Sequence, residues 1–466
     1  MKATPETDGS GGKGSRLNQP LAADIGAAVG LAWPNLVGSL FQTIIGWFIL
    51  KQVGHLGAVE IAAYGLGRTI VMWAGSAYWA LSSGLMALVA RFVGARQYRR
   101  AGQAVIQALY LALTLAMVTA VVGALLAPRL LSWVGGDADV VASGTAFLRV
   151  YMFCMVFMVA WFLSTSTLRA AGETRTAMYL QWMVNIIQAV LTYVLVVGVS
   201  VFPEMGLLGV AYAMLISRAL LFGVLMALIW FRYSRVRLPR LEWPWWRPRW
   251  SIMRRVVRIS IPSSIEGIAR TSAVLTLLTL VSTSADGTVA LSGYTIGIQL
   301  EPIFHMVGSS LGLAATAMVG QNLGAGYPEE AARGGWNSAR FAVAFLGAVG
   351  VVILLFAPAV VGFFTSDAGV VSYGAWYMRA MGVASIFIAT TLTLGGALRG
   401  AGETRTPMLT TIGGFWLVQI PLGFVLSRYT AMGAVGVFWA ICIGWVIQAA
   451  YVMWRFKQGH WKEVKV

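Results

Sequence analysis

The 466-residue chain is 58% apolar and only 11% charged, about half the charged share of a soluble globule, so a water-soluble fold is excluded. Its 34 Lys and Arg outnumber 17 Asp and Glu, for a net charge of +17. The composition is that of a polytopic membrane protein, whose apolar stretches cross a hydrocarbon core of about 30 Å as helices, because a helix satisfies its own backbone hydrogen bonds in lipid.

Residues 1–20 are rich in Gly, Ser, Lys and Thr without an apolar core, which predicts a disordered tail and not a cleaved signal peptide. Twelve helical spans follow, at roughly 22–50, 58–90, 102–127, 139–167, 177–201, 206–231, 256–283, 288–320, 332–356, 369–397, 407–427 and 432–455. They divide into an N-terminal lobe, 21–231, and a C-terminal lobe, 256–455, joined by the Arg-, Trp- and Pro-rich linker 232–255 and closed by a short tail, 456–466. The linker's RYSRVRLPRLEWPWWRPRW run suits a membrane interface.

The basic residues occupy alternate loops. Arg91, Arg96, Arg99 and Arg100 follow the second span, Arg169 and Arg175 the fourth, and Arg399 and Arg405 the tenth, while Asp137, Asp139, Glu204, Asp286 and Asp367 lie in the opposite loops. By the positive-inside rule both termini and the linker are cytoplasmic, in a cell (inner) membrane. Topology thus accounts for the excess charge, and no nucleic-acid partner is expected. Cys154 and Cys442 fall inside apolar spans, and the three histidines are scattered; no metal-ligand spacing, phosphate loop or nucleophile elbow occurs, so neither an enzyme nor a metal or cofactor site is predicted.

An internal repeat organises the whole membrane region. LRAAGETRTAM (Leu168 to Met178) returns 230 residues later as LRGAGETRTPM (Leu398 to Met408), identical at nine of eleven positions. At the same offset Gly57, Tyr64 and Gly67 meet Gly287, Tyr294 and Gly297, Gly94 meets Gly324, and Pro128 meets Pro358. Six spans per half place both halves in the membrane the same way round, which predicts an all-α integral membrane protein of two six-helix lobes related by a parallel repeat, with a cleft between them. The doubled segment falls at a turn in each lobe, where Gly172 and Gly402 break one helix and Thr174 and Thr404 suit the start of the next. It is read as a structural turn carrying topological charge.

These turns, with VGQNLGAG (Val319 to Gly326), VGHLGAVEIAAYGLG (Val53 to Gly67) and IQLEPIFHM (Ile298 to Met306), resemble the multidrug and toxic compound extrusion (MATE) transporters over essentially the whole membrane region. The resemblance implies secondary active efflux, with H⁺ or Na⁺ as coupling ion exchanged for organic, often cationic and lipophilic, compounds. The chain departs from many of those transporters in having Ile49 near their first-span Asp, and Ala189 one turn after Asn185.

A carboxylate at mid-helix costs about 2.5 to 3.5 kcal/mol on insertion scales, so an acid inside a span is a functional candidate. Glu266 in IPSSIEGIAR and Glu301 in IQLEPIFHM are therefore the candidate ion-coupling residues, with Arg270 and His305, each four residues on, as partners. Gly38 stands opposite Glu266 in the first lobe when Pro34 is aligned with Pro262, and Val71 stands opposite Glu301, so coupling is expected in the C-terminal lobe. Competition between ion and cargo for Glu266 supplies the expected mechanism. Gln42, Tyr64, Trp73, Asn185, Tyr294 and Met306 are the candidate cleft-lining, substrate-binding residues. The expected partners are small organic cations or other amphipathic molecules and the bilayer, with the chain a monomer; a lipid-linked-substrate flippase is the alternative.

Overall fold

The computed structural model describes residues 25–198, 203–230, 247–284 and 287–464; the predicted N-terminal tail and most of the linker lie outside them. Among the described residues there is no β-strand. The first lobe contains α1 (Ile25–Gly54), α2 (Ala58–Gly94), α3 (Tyr98–Leu125), the short α4 (Ala127–Trp133), α5 (Ala138–Ala170), α6 (Thr174–Val197) and α7 (Leu207–Trp230). The second contains α8 (Trp250–Ser282), α9 (Gly287–Leu300), α10 (Pro302–Gly324), α11 (Pro328–Gly362), α12 (Ala368–Gly400), α13 (Arg405–Ile412), α14 (Ile420–Arg428) and α15 (Ala434–Gln458).

Eleven of the described segments are long and apolar enough to cross a bilayer, and the bent pair Val59–Gly75 and Ala80–Gly94 within α2, inclined at 45°, brings the total to twelve. At 1.5 Å per residue the 30 residues of α1 extend about 45 Å, past the hydrocarbon core. Two boundaries differ from the sequence reading. Helix α8 begins at Trp250, inside the expected linker, and after α15 a 3₁₀ turn, His460–Glu463, packs the Trp461 ring against Phe456 at 4.7 Å between centroids. The expected tail is thus folded onto the lobe, because a buried indole gains more from that contact than from water.

The repeat is preserved in three dimensions with local variation. Pro34 and Pro262 both lie inside long helices. Pro128, by contrast, starts α4 after a break, whereas its counterpart Pro358 lies within the continuous α11. Each lobe has its own apolar core, one built around Leu85, Phe147, Met152 and Leu163, the other around Tyr294, Phe304, Tyr377 and Phe438. Helices α5 and α12 are the repeat-related axes of the two cores.

The doubled segments form two superimposable helix ends. Gly172 (φ 83°) and Gly402 (φ 84°) are left-handed. The Glu173 amide donates to the Leu168 carbonyl at 2.8 Å and the Glu403 amide to Leu398 at 2.9 Å, while Gly172 donates to Arg169 and Gly402 to Arg399. Both are Schellman ends, which need a residue tolerant of positive φ at this one position.

Candidate functional site

Glu266 sits mid-way along α8, and its carboxylate is turned into the second lobe. Its Oε1 lies 2.5 Å from Arg399 Nη2 and accepts a weaker bond from Thr411 Oγ1 at 3.5 Å. The side chains of the pair are only 24% (Arg399) and 12% (Glu266) exposed, so the ion pair operates in a low effective dielectric. A small pocket beside it, bounded by Arg270, Thr410, Phe415, Trp445 and Gln448, has about 20 Å³ of free space, room for roughly one water. One wall is the segment Gly413–Gln419, a π-helical stretch between α13 and α14, a distortion that commonly accompanies functional sites.

Arg270 lines the same pocket but is exposed and makes no ion pair with Glu266. The sequence pointed to Arg270 because residues four apart share a helix face. The guanidinium that reaches the carboxylate comes instead from the doubled turn, 133 residues away.

Glu301 occupies the junction of α9 and α10. It meets His305 Nε2 at 2.9 Å and accepts a hydrogen bond from the Tyr377 hydroxyl at 3.0 Å. The His305 ring in turn lies 5.7 Å from Trp445, which also borders the Glu266 pocket. The expected Glu301–His305 pairing is present, and Tyr377 completes it.

The substrate-binding candidates separate into three groups. Tyr64 and Tyr294 are 4% and 2% exposed and are core residues: Tyr64 packs on Phe147, and Tyr294 on Tyr377 and Phe438. The repeat thus relates two rings that are both packed in a lobe core. Gln42 and Trp73 are exposed, and Met306 is half-buried. Asn185 is buried in α6, where its Oδ1 accepts from Gln181 at 3.4 Å and its Nδ2 has no hydrogen-bond partner among the described residues.

Among the described residues the first lobe has no counterpart of the Glu266 pair. Arg169, the repeat mate of Arg399, has a buried Nε without a hydrogen-bond partner, and the position of Glu266 is taken by Gly38, whose nearest neighbour in the β-carbon direction is Met178 at 4.0 Å.

The lobes are fastened together at the end that carries the doubled turns. Arg91 Nη2 on α2 donates to the Ala401 carbonyl at 2.8 Å, and Gln321 Nε2 on α10 donates to the Ala170 carbonyl at 2.7 Å. Arg91 and Gln321 are repeat mates at the offset of 230, so each lobe gives one donor and one acceptor turn. The helices cross without side chains between them. A β-carbon on Gly94 would fall on the Gln321 carbonyl, and one on Gly324 on the Arg91 carbonyl. Gln107 on α3 adds a clasp on the start of the second lobe, donating to the Arg247 carbonyl and accepting from the Arg249 amide. Toward the opposite end of α2 and α8, Met72, Trp73 and Leu275 are exposed. Sequence reasoning did not single out Arg399, Thr411, Tyr377, Arg91 or Gln321 as site residues; the repeat register contained a signal for Arg399, Arg91 and Gln321.

A comparison with family models matches this chain to the MatE family over residues 34–194 and 262–425, one match in each lobe. The chain belongs to the MatE family. Among curated MatE-like relatives, it is 25% identical to a probable multidrug resistance protein NorM of Thermotoga maritima, with 93% of this chain and 92% of that protein aligned. It is 29% identical to the multidrug resistance protein NorM of Burkholderia vietnamiensis, over 91% and 92% of the two chains. Solved structures share the MatE fold. A MOP superfamily transporter from Pyrococcus furiosus, described as having a binding pocket of reversed polarity, superposes with a TM-score of 0.86 at 21% identity over 98% of this chain and all of the other. An outward-facing MATE transporter superposes with a TM-score of 0.85 at 21% identity, over 97% of this chain and all of that one. This MatE chain is accordingly a multi-pass membrane transporter and not an enzyme.

Proposed function

We propose that this chain is a secondary active multidrug exporter that exchanges H⁺ or Na⁺ for organic, cationic and lipophilic compounds by rocking its two lobes. The observation that carries the reading is Glu266, a carboxylate set among membrane helices, held by a single guanidinium and bordering a water-sized space. Such a group binds a small cation or releases it according to what else occupies the lobe, and binding energy that differs between two states shifts their populations. Glu301, with His305 and Tyr377 as hydrogen-bond partners, is the second ion-coupling group, joined to the first through Trp445.

In this reading the two termini and the doubled turns face the cytoplasm of the inner membrane, as the basic loops favour. The Arg91 and Gln321 bonds then form the inner gate, and cargo leaves toward the other side while they are made. Gln42, Trp73 and Met306 remain cargo contacts; a monomer suffices, because each lobe supplies half of the gate. The relatives are named for multidrug resistance, and nothing in them favours the lipid-linked flippase alternative.

The test is accumulation of a chemically broad panel of fluorescent organic cations in cells expressing the chain, with the Na⁺ and the pH gradient collapsed separately. Reduced accumulation that is restored by collapsing one gradient supports exchange with that ion. Unchanged accumulation across the panel overturns the proposal.

A further inference from the structure

At the end of the second lobe that carries the doubled turn, α11 and α15 meet where Phe456 closes over Gly335. Beside this contact lies a pocket of about 500 Å³, lined by Arg333, Arg340, Lys457 and Lys462 together with Trp336 and Glu329. It is separate from the Glu266 pocket, with which it shares no lining residue.

Its charges do not cancel. Lys462 pairs with Glu329 at 2.8 Å, and Arg333 with Glu330 at 2.7 Å. Arg340 bonds only the neutral Asn337 side chain, at 3.2 Å, and neither it nor Lys457 has an acidic partner among the described residues. Two cations that line one pocket without an acidic partner among the described residues favour an anion with several oxygen acceptors.

The surfaces leading away from these two residues tell what kind of anion. On α11, Arg340 is followed at helical spacing by Ala344, Ala348, Val351 and Leu355, all exposed, the last two by 55% and 70%. On α15, Lys457 is followed toward the membrane centre by Trp454, Ala450, Ile447 and Ile443, likewise exposed. Each helix therefore presents an exposed apolar stripe that ends in a cation, which the proposed topology sets at the headgroup level. Trp336 and Trp454 stand at that level, where indoles favour the interface. A soluble phosphate would use the cations and leave both stripes unused.

We propose that this pocket holds the headgroup of an anionic phospholipid, its phosphodiester between Arg340 and Lys457 and its acyl chains along the two stripes. Basic pockets between membrane helices bind lipid headgroups in this way. In the topology proposed above the lipid belongs to the cytoplasmic leaflet, and the site sits on the moving second lobe beside the gate.

The test uses the full chain in nanodiscs of phosphatidylcholine, titrated with phosphatidylglycerol or more phosphatidylcholine, with bound lipid counted by native mass spectrometry and melting temperature read in parallel. The wild type is expected to prefer phosphatidylglycerol at least tenfold, and R340Q/K457Q to lose roughly tenfold or more of that affinity. R340K/K457R keeps the charges and is expected to keep the preference, so a folding defect in the first variant is distinguishable from a lost site. Equal binding of the two lipids, or an undiminished preference in folded R340Q/K457Q, overturns the proposal. So does displacement of the lipid by equimolar inorganic phosphate or glycerophosphoglycerol, which would make this a soluble-anion site.

Discussion

Glu266 on α8 and Arg399 in the second doubled turn form an ion pair at 2.5 Å, although 133 residues separate them in the chain. The turn that closes α12 is thereby tied to the one acid of α8, and the same turn carries Ala401, whose carbonyl accepts from Arg91 of the first lobe.

Replacing Glu266 by Gln keeps the shape and removes the charge. In proteoliposomes with an imposed ion gradient, efflux by the folded, reconstituted E266Q is expected to fall at least tenfold. Full gradient-driven efflux by E266Q would remove this residue from the exchange.

The pair itself is measurable by a double-mutant cycle. R399A leaves the carboxylate without its cation, and E266Q leaves the cation without its carboxylate; each single change is expected to destabilise more than its share of the double change. The coupling energy, read from denaturation of the four proteins, should be about 0.5–3 kcal/mol. Strict additivity would mean that the contact contributes nothing to the lobe.

Gly94 and Gly324 allow α2 and α10 to cross backbone to backbone. A valine at either position collides with a carbonyl, and G94V or G324V is expected to hold the fastened end apart. Spin labels at the exposed repeat mates Arg175 and Arg405, with Cys154 and Cys442 replaced, should report longer distances in the variants than in the parent. Superimposable distance distributions would exclude this crossing as the point of closure.

Tyr64 and Tyr294 are buried against aromatic neighbours. Y64A and Y294A are expected to cost about 3–5 kcal/mol of stability, as large aromatic truncations in cores do, and to leave the cargo affinity of the folded fraction unchanged in equilibrium binding. A large loss of affinity at constant stability would return them to the cleft.

The repeat and the helical spans were legible because a bilayer admits few solutions and because duplication writes itself as a constant offset. Glu266 was legible for the same reason that it is costly, as an acid where apolar residues prevail. Its partner was not. Helical spacing singles out Arg270, but whether a long cation turns inward or out to water is decided by neighbouring helices, and here the inward direction was filled from α12 by Arg399. Tyr64 and Tyr294 share a register that says nothing of burial, and the structure packs both rings against aromatic neighbours. The π-helical segment Gly413–Gln419 left no readable trace, since its extra residue per turn is accommodated by contacts such as Gly414 against Gln448.

The exchange of donors between the lobes has a mechanical consequence. Arg91 and Gln321 reach in opposite directions between the lobes, so full parting of this end must break both bonds. A carrier built this way is held shut at this end by two contacts, one donated from each lobe.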